Sequence, residues 1–308
     1  MITGVWDILS LANNFNDKNK NNSSYFTLSL IAESNLPINT FGGLTFTPHK
    51  NIKTKEVFDI IYIPGFMGEV DETIALNNKL IHWISKLDSN KTIITAACNG
   101  NFLLASSGKL ENKTATTHWS LVNKMRRDYD KIKLCPEKII ADNGNIISAA
   151  GVTSYFNLAL HLIQRFIGPE ISLACAKVFL VDSGRKIQTP YQMFEFSKSH
   201  GDNLIKKTQD WIENNYKEDI TIAKLETVAN CSGKTLTRRF QKVIGLSPLA
   251  YIQKMRIETA KRLLESKDMT FNEITWEVGY NDSSSFHKAF KLGTGLTPNE
   301  YRLKFSIL

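Results

Sequence analysis

The sequence predicts an α/β layered domain followed by an all-α domain. Three observations carry this. Over the first two hundred residues, β-branched runs that end at tight turns alternate with helical stretches. Near Leu204 the strand-like runs stop and helical periodicity takes over. Within that last third, a seven-residue pattern returns fifty residues later.

Length and composition set the outer bounds. A chain of 308 residues suggests two domains at roughly 100–200 residues each. Hydrophobic residues at 42% and charged residues at 22% are ordinary for a globular protein and exclude low-complexity disorder as the dominant state. No run of about 20 uncharged apolar residues is present, which excludes a membrane-spanning helix, and no membrane partner is expected. Asn13, Asn14, Asn16, Asp17 and Asn19 stand where a signal peptide needs an apolar core, so secretion is not expected. Cys98, Cys135, Cys175 and Cys231 are far apart and form no C-x-x-C pair. That pattern predicts neither a metal site nor a disulfide scaffold and fits a reducing cytoplasm. No cofactor is expected.

The elements follow in order. Residues 58–63 end at Pro64-Gly65, residues 91–96 end at Cys98-Asn99-Gly100, and residues 145–150 end at Gly151. Each reads as a buried strand closed by a tight turn. Residues 73–87, 101–107 and 154–167 read as helices, the last with Phe156, Leu160, Ile163 and Ile167 on one face. Asn143-Gly144 is a hairpin turn between residues 138–141 and the next strand. Strands alternating with helices make a layered sheet. Residues 182–203 are polar and rich in breakers, which divides the chain into a domain at 1–185, a connection at 186–203 and a domain at 204–308.

The second domain is basic. The chain carries a net charge of +8, and residues 204–308 hold 17 Lys and Arg against 12 Asp and Glu. Such a balance points to an anionic partner, and nucleic acid is the usual one. Gly245-Leu-Ser-Pro-Leu-Ala-Tyr251 recurs as Gly295-Leu-Thr-Pro-Asn-Glu-Tyr301. At the same offset Phe240 matches Phe290, Val228 matches Val278 and Ala229 matches Gly279. Two copies are too few for a solenoid, so a small module is duplicated. In the first copy, a helix at 221–229 with Ile222, Leu225 and Val228 apolar is followed by a turn and a helix at 234–243, which turns Leu236, Phe240 and Val243 inward. In the second, helices at 271–278 and 283–292 flank the turn, with Phe286, Ala289 and Phe290 inward. Ser232 and Asp282 are natural N-caps. Each copy is a helix-turn-helix unit.

Residues 247–266 read as one helix between the copies, with Pro248 in its first turn. About 20 residues at 1.5 Å each span roughly 30 Å. Successive major grooves on one face of a duplex lie about 34 Å apart, so two heads on such a rod suit two adjacent grooves of double-stranded DNA. On the first reading helix Lys234, Thr235, Thr237, Arg238 and Gln241 face out. Arg238 has the fork that takes guanine O6 and N7 together, and Lys234 and Thr235 lie near the helix start, where base edges and phosphate are met. On the second, Ser283, Ser284, Ser285, His287 and Lys288 face out, a short set suited to phosphate positioning and modest base choice. Ser232-Gly-Lys-Thr235 is not a phosphate-binding loop, because position 228 holds Val where that pattern needs Gly.

These residues carry a resemblance. Ala229-Asn-Cys-Ser232, Leu236-Thr-Arg-Arg-Phe240, Gly245-Leu-Ser-Pro248 and Tyr251, with Ile274-Thr-Trp-Glu-Val-Gly-Tyr280, Ser285-Phe286, Phe290-Lys291, Gly295-Leu-Thr-Pro298 and Tyr301-Arg302, make about 100 residues similar to the DNA-binding domain of the AraC/XylS family.

In the first domain, Thr95-Ala-Ala-Cys98-Asn-Gly100-Asn-Phe-Leu-Leu-Ala105 reads as a strand, a sharp turn and a helix. The Cys98 thiol would point out at the carboxyl edge of the sheet, where open α/β sheets bind ligands. The helix start behind it favours thiolate and anionic ligands. Pro64-Gly65-Phe66-Met67-Gly68 follows another strand and can turn N–H groups to the same crevice, and His118 adds an imidazole. Gly65, Phe66, Met67, Cys98, Asn99 and His118 are therefore the candidate effector pocket. These segments, with residues 108–110, Ala115–Trp119, Ala150-Gly-Val152 and Leu158-Ala-Leu-His161, resemble the ThiJ/PfpI fold as used by GlxA-type transcriptional regulators, from residue 2 to 195.

The resemblance implies a flavodoxin-like sheet domain and a cytoplasmic transcriptional regulator. Its first domain would sense a small-molecule effector, an amine or amino-acid derivative, and form a homodimer, with RNA polymerase as a further partner. Effector binding would shift populations rather than lead to turnover. Hydrolytic members of the fold carry His directly after the cysteine, where this chain has Asn99, and a Glu after the first strand. Residues 1–9 resemble the helix that follows that strand. The strand and its acid are thus expected to be missing, through a start downstream of the true one or a gap filled by another segment. Without a neighbouring base a thiol is only a few per cent thiolate. Cys98 is accordingly expected to line the pocket, and no enzyme activity is expected. The alternatives are a cysteine-dependent amidohydrolase or glyoxalase-like enzyme with a DNA-binding domain, and a redox sensor in which Cys98 is oxidised.

Overall fold

The computed structural model describes residues 1–18, 26–194, 196, 198 and 200–307. They form two compact units, Met1–Gln188 and Thr189–Leu308.

In the first unit three short strand pairs accompany a main sheet. β1 (Ile31–Ala32) runs parallel to β4 (Lys50–Asn51), β2 (Ile38–Asn39) antiparallel to β3 (Thr45–Phe46), and β7 (Thr114–Ala115) parallel to β8 (Lys133–Leu134). The main sheet holds β5 (Ile60–Ile63), β6 (Ile93–Ala97), β9 (Ile140–Asp142) and β10 (Ile146–Ala149) in the order β5-β6-β10-β9. β5, β6 and β10 are parallel, and β9 turns back antiparallel through Asn143-Gly144, where Gly144 takes a positive φ of 83°. Among the described residues no strand pairs with the other edge of β5.

Side chains alternate across a strand, so each strand feeds two cores. Ile61, Ile63, Ile94 and Ile146 pack with Ile84, Phe102, Leu104 and Met125 from α3 (Asn78–Lys86), α4 (Gly100–Ser106) and α5 (Val122–Asp128). On the opposite face, Ile93, Ala97, Ile147 and Ala149 pack with Leu158 and Leu162 of α6 (Ser154–Phe166). Behind that layer Ile8, Leu9 and Ala12 of α1 (Ile2–Lys18) meet Leu160 and Ile163 of α6 and Ile171 and Cys175 of α7 (Pro169–Val178). The result is helices on both faces of a mostly parallel sheet. The helix expected over 73–87 is broken into α2 (Val70–Leu76) and α3. Asn77 leaves helical geometry between them, and its Nδ2 donates to the Thr73 carbonyl at 2.8 Å, a side chain competing with the backbone ladder.

The second unit is helical: α8 (Asn203–Asn215), α9 (Ile222–Ala229), α10 (Gly233–Ile244), α11 (Pro248–Ser266), α12 (Phe271–Glu277), α13 (Ser283–Thr294) and α14 (Pro298–Phe305). α11 is shared. Tyr251, Ile252 and Met255 enter a core with α8, α9 and α10, while Ile257, Ala260 and Leu264 enter a second core with α12, α13 and α14. The two modules repeat in detail. Gly245 and Gly295 end the reading helices at φ 79° and 78°. Ser247 and Thr297 cap the next helices ahead of Pro248 and Pro298. The Phe240–Tyr251 and Phe290–Tyr301 rings meet edge-on, each pair 5.5 Å apart. The Tyr251 hydroxyl donates to Glu213 at 3.2 Å and the Tyr301 hydroxyl to Glu265 at 2.7 Å.

The repeat has one break. In the first helix of each copy the buried pairs are Leu225 with Ala229 and Ile274 with Val278. The caps are Thr221 and Thr270, and the left-handed residues after the helices are Asn230 and Gly279. All of these lie one residue closer than the repeat offset predicted. Val228 therefore does not correspond to Val278, nor Ala229 to Gly279; Ala229 corresponds to Val278. The offset recovers between the helices, because Cys231 stands alone in the first turn where the second has Tyr280 and Asn281.

The polar stretch expected as a connection is largely built into its neighbours. The Gln188 side chain donates to Thr117 O at 2.8 Å and Pro136 O at 2.9 Å in the first unit. From Thr189 on, the chain straps the helical unit. Tyr191 sits edge-on to Phe305 at 5.3 Å. The Lys261 ammonium, on a residue 5% exposed, donates to Gln192 O and pairs with Glu258. Phe194 and Phe196 pack edge-on to Tyr251, and Lys198 bridges Asp210 and Glu213 at 2.6 Å each.

Candidate nucleic-acid interface and effector pocket

α10 is set in rotation by Leu236 and Phe240, both fully buried, and started by the Ser232 cap. That places Lys234, Arg238 and Gln241 on the exposed side, with Thr235 and Thr237 half-buried at its margin. α9 and α10 frame an open groove of about 790 Å³ lined by Lys234, Thr237, Arg238, Gln241 and Lys242, with Ile222, Glu226 and Gly233 at its wall. Lys242 escaped the sequence reading, although it follows Arg238 by one turn and shares its face. The neighbouring arginines divide the work. Arg239 is held by Asp202 through two bonds, Nε at 3.0 Å and Nη2 at 2.7 Å, while Arg238 is exposed and has no ion-pair partner among the described residues. Gln241 is partly engaged, donating to Gly245 O at 3.0 Å.

On α13 the five expected residues separate. Asp282 accepts the Ser284 and Ser285 N–H groups at 3.1 and 2.7 Å, and the Ser285 hydroxyl bond holds its carboxyl below the ordinary range. The Ser283 hydroxyl donates to Asn272 at 2.9 Å, and the His287 ring is edge-on to Phe271. Ser284 and Lys288 remain exposed, joined by Lys291, which the sequence reading also missed.

The Cys98 turn sits at the carboxyl end of β6. Cys98 takes φ 57°, the left-handed region, a conformation that costs a non-glycine residue about 1–3 kcal/mol and persists only when its surroundings enforce it. Its N–H donates to Ala149 O at 3.0 Å, and its carbonyl accepts from Thr117 Oγ1 at 3.0 Å and Asn101 Nδ2 at 2.9 Å. Asn99 clamps the facing loop, accepting the Phe66 N–H at 2.9 Å and donating to Phe66 O at 2.8 Å. A β-carbon at Gly65 would lie 2.8 Å from Met1 Sδ and 2.9 Å from Asn99 Oδ1, so any side chain there would push against the Asn99 clamp. Gly65, Phe66, Cys98 and Asn99 are thus brought together. His118 adjoins them through Thr117 and lies over Gly151, with Nδ1 at 2.7 Å from Ser120 Oγ. Met67 is 68% exposed and makes no such junction.

Charge at this turn runs against the expectation that the helix start favours thiolate. Cys98 is only 8% exposed, and burial pushes its thiol up, outweighing the Asn99 N–H bond that pulls it down. Burial also lowers His118, which is therefore neutral at pH 7. Alkylation of Cys98 in the full chain, followed by peptide mass spectrometry, should rise with pH to a midpoint above the ordinary thiol value of about 8.5. A midpoint at or below that value contradicts the burial argument. Two buried polar atoms near this turn have no partner among the described residues, the Tyr62 hydroxyl and Asn101 Oδ1. Tyr62, beside Tyr155 and Cys98, carries no sequence signal beyond its place in a strand.

Comparisons with known proteins divide the chain at a similar place. A model of the DJ-1/PfpI family matches residues 6–165, and one described as a helix-turn-helix domain matches residues 225–304. The chain is 25% identical over 262 residues to the HTH-type transcriptional regulator GbdR of Pseudomonas aeruginosa, covering 84% of this chain and 70% of that protein. It is 22% identical over 269 residues to the HTH-type transcriptional regulator CdhR of the same organism, covering 86% and 78%. A solved structure from Vibrio parahaemolyticus superposes with a TM-score of 0.51 at 21% identity, covering 58% of this chain and 91% of that one, a likeness of fold alone.

Proposed function

The chain belongs to the DJ-1/PfpI family, and from that premise we propose that it is a transcriptional regulator that binds double-stranded DNA through two helix-turn-helix heads. The observation that carries this is the duplicated module, whose two reading helices share one core position, cap and end-glycine after another and turn Lys234, Arg238, Lys242, Lys288 and Lys291 to solvent. The 19 residues of α11 join the modules and span roughly 28 Å at 1.5 Å per residue, a little under the 34–36 Å of one duplex turn. The names of the relatives point the same way.

The first unit is the sensor in this proposal, with a small-molecule effector bound at the Cys98 turn. Binding is favoured over turnover by three features. Asn99 stands where a base would follow the cysteine and is spent on Phe66. The thiol is held protonated by burial. His118 is neutral and faces Ser120. The same protonated thiol disfavours a peroxide sensor, since oxidation begins from thiolate.

Selection of genomic fragments by the full chain tests the DNA reading, and recovery of no common motif removes it. On the motif so found, Arg238→Ala should relax preference at one base position, at a cost of about 1–3 kcal/mol. An unchanged preference at every position would refute the role given to Arg238.

A further inference from the structure

The one-residue insertion in the second turn lies where the two modules touch. Tyr280, the added residue, packs against Phe286 with the ring centroids 5.0 Å apart and the planes tilted at 45° within its own module. The same ring receives the Arg256 guanidinium, 5.3 Å from its centroid, and its hydroxyl bonds Gln253. Both partners come from the middle of α11. Arg256 is also tied to the first module, because Nε donates to Tyr216 O at 2.8 Å and Nη2 to Glu218 O at 2.7 Å. Between those two carbonyls lies Lys217, whose backbone rests on Gly279. A β-carbon at Gly279 would stand 2.5 Å from Lys217 O and 2.7 Å from its Cα, and Gly279 has φ 83° besides. The Lys217 ammonium closes the edge on Glu277.

Four chain segments therefore meet at one point: the loop after α8, the middle of α11, the end of α12 and the second turn. A planar fork that spends two donors on fixed carbonyls and one face on a ring is rigid in a way a lysine at the same place would not be. The first turn, with Cys231 alone, supplies no equivalent of Tyr280.

We propose that Tyr280, Arg256 and Gly279 form a joint that holds the two reading heads at one distance and one rotation, so that the chain selects operators by the spacing of their two subsites. This rests on the DNA reading above and adds that the spacing is set by three positioning residues outside both reading helices. Each base pair inserted between the subsites shifts one head by about 3.4 Å and turns it by about 35° relative to the other. A rigid pair of heads cannot follow that change, whereas a loosened pair can.

The test uses the full chain and the duplex chosen by the wild type, in versions with zero to three base pairs inserted between the subsites. The wild type should lose about tenfold or more in affinity at the first insertion. Gly279→Ala and Arg256→Gln, verified as folded by circular dichroism, should flatten that loss to about threefold or less while keeping base preference within each subsite. Folded variants that retain the wild-type spacing profile overturn the joint, even if they bind all duplexes more weakly. A second measurement needs no DNA. Genetically encoded spin labels at Lys242 and Leu292, equivalent exposed positions on the two reading helices, should give a narrow distance distribution in the wild type and a broad one in Gly279→Ala. Equal widths overturn the joint whatever the protein binds. A wild type that selects no sequence but shows this difference in widths leaves the joint standing and removes the DNA reading.

Discussion

Raising the salt from 50 to 200 mM should weaken binding of the full chain to its selected duplex by about 150-fold. Besides Arg238, which is given to a base edge, four cations stand exposed on the two reading helices: Lys234, Lys242, Lys288 and Lys291. Each phosphate neutralised contributes a slope of about −0.9 in log affinity against log salt, so four give a slope of about −3.6. The fourfold change in salt then yields the stated factor. Glu226 lies in the same groove, but its carboxylate accepts the Gly233 N–H at the start of α10 rather than facing a cation. Fluorescence anisotropy over a salt series measures the slope. Lys242→Gln should reduce its size by about 1, and a flat response in the wild type contradicts the groove assignment.

Phe290→Ala should cost the helical unit about 3–5 kcal/mol. The ring is fully buried, 5.5 Å from Tyr301 and 5.8 Å from Phe286. Its removal takes away burial and two edge-on contacts, and leaves a cavity that α11, α13 and α14 cannot all move to fill. Domains of this size are stable by only about 5–15 kcal/mol, so the second module should be close to unfolding. Urea titration of 5-fluorotryptophan-labelled protein, followed by the fluorine NMR signal of Trp276 on α12 and so resolved from the other four tryptophans, reads the module directly. A loss under about 1 kcal/mol would mean that the side chain is not packed as described.

How far the sequence spoke depended on what each signal measures. Runs such as 91–96 declared buried strands because four uncharged β-branched residues stand in a row at 92–95, and β6 is buried throughout. The modules were legible down to their caps, since Ser232, Asp282 and Pro248 act locally. The register of their first helices was not. Val228 and Val278 share a letter, but burial pairs Ala229 with Val278, and an insertion inside a turn leaves no trace in hydrophobic periodicity. Asn77 breaks a helix because of where its side chain bonds, which spacing does not reveal. At the Cys98 turn the residues foretold a sharp corner and a nearby loop. They did not foretell that burial would outweigh the helix start in setting the thiol, because desolvation depends on neighbours far apart in the chain. The stretch before Leu204 looked like a connection by its polar residues, while Phe194 and Phe196 within it were the sign that it is anchored.

That anchoring bears on how such proteins can be recombined. The helix-turn-helix match begins at residue 225, yet Tyr251 is roofed by Phe194 and Phe196, Arg239 is held by Asp202, and Lys261 reaches Gln192. The transplantable cassette therefore starts near Thr189. A chimera spliced at the recognisable motif would inherit the reading heads without the roof, and a graft that fails there reports on the cut rather than on the compatibility of the two units.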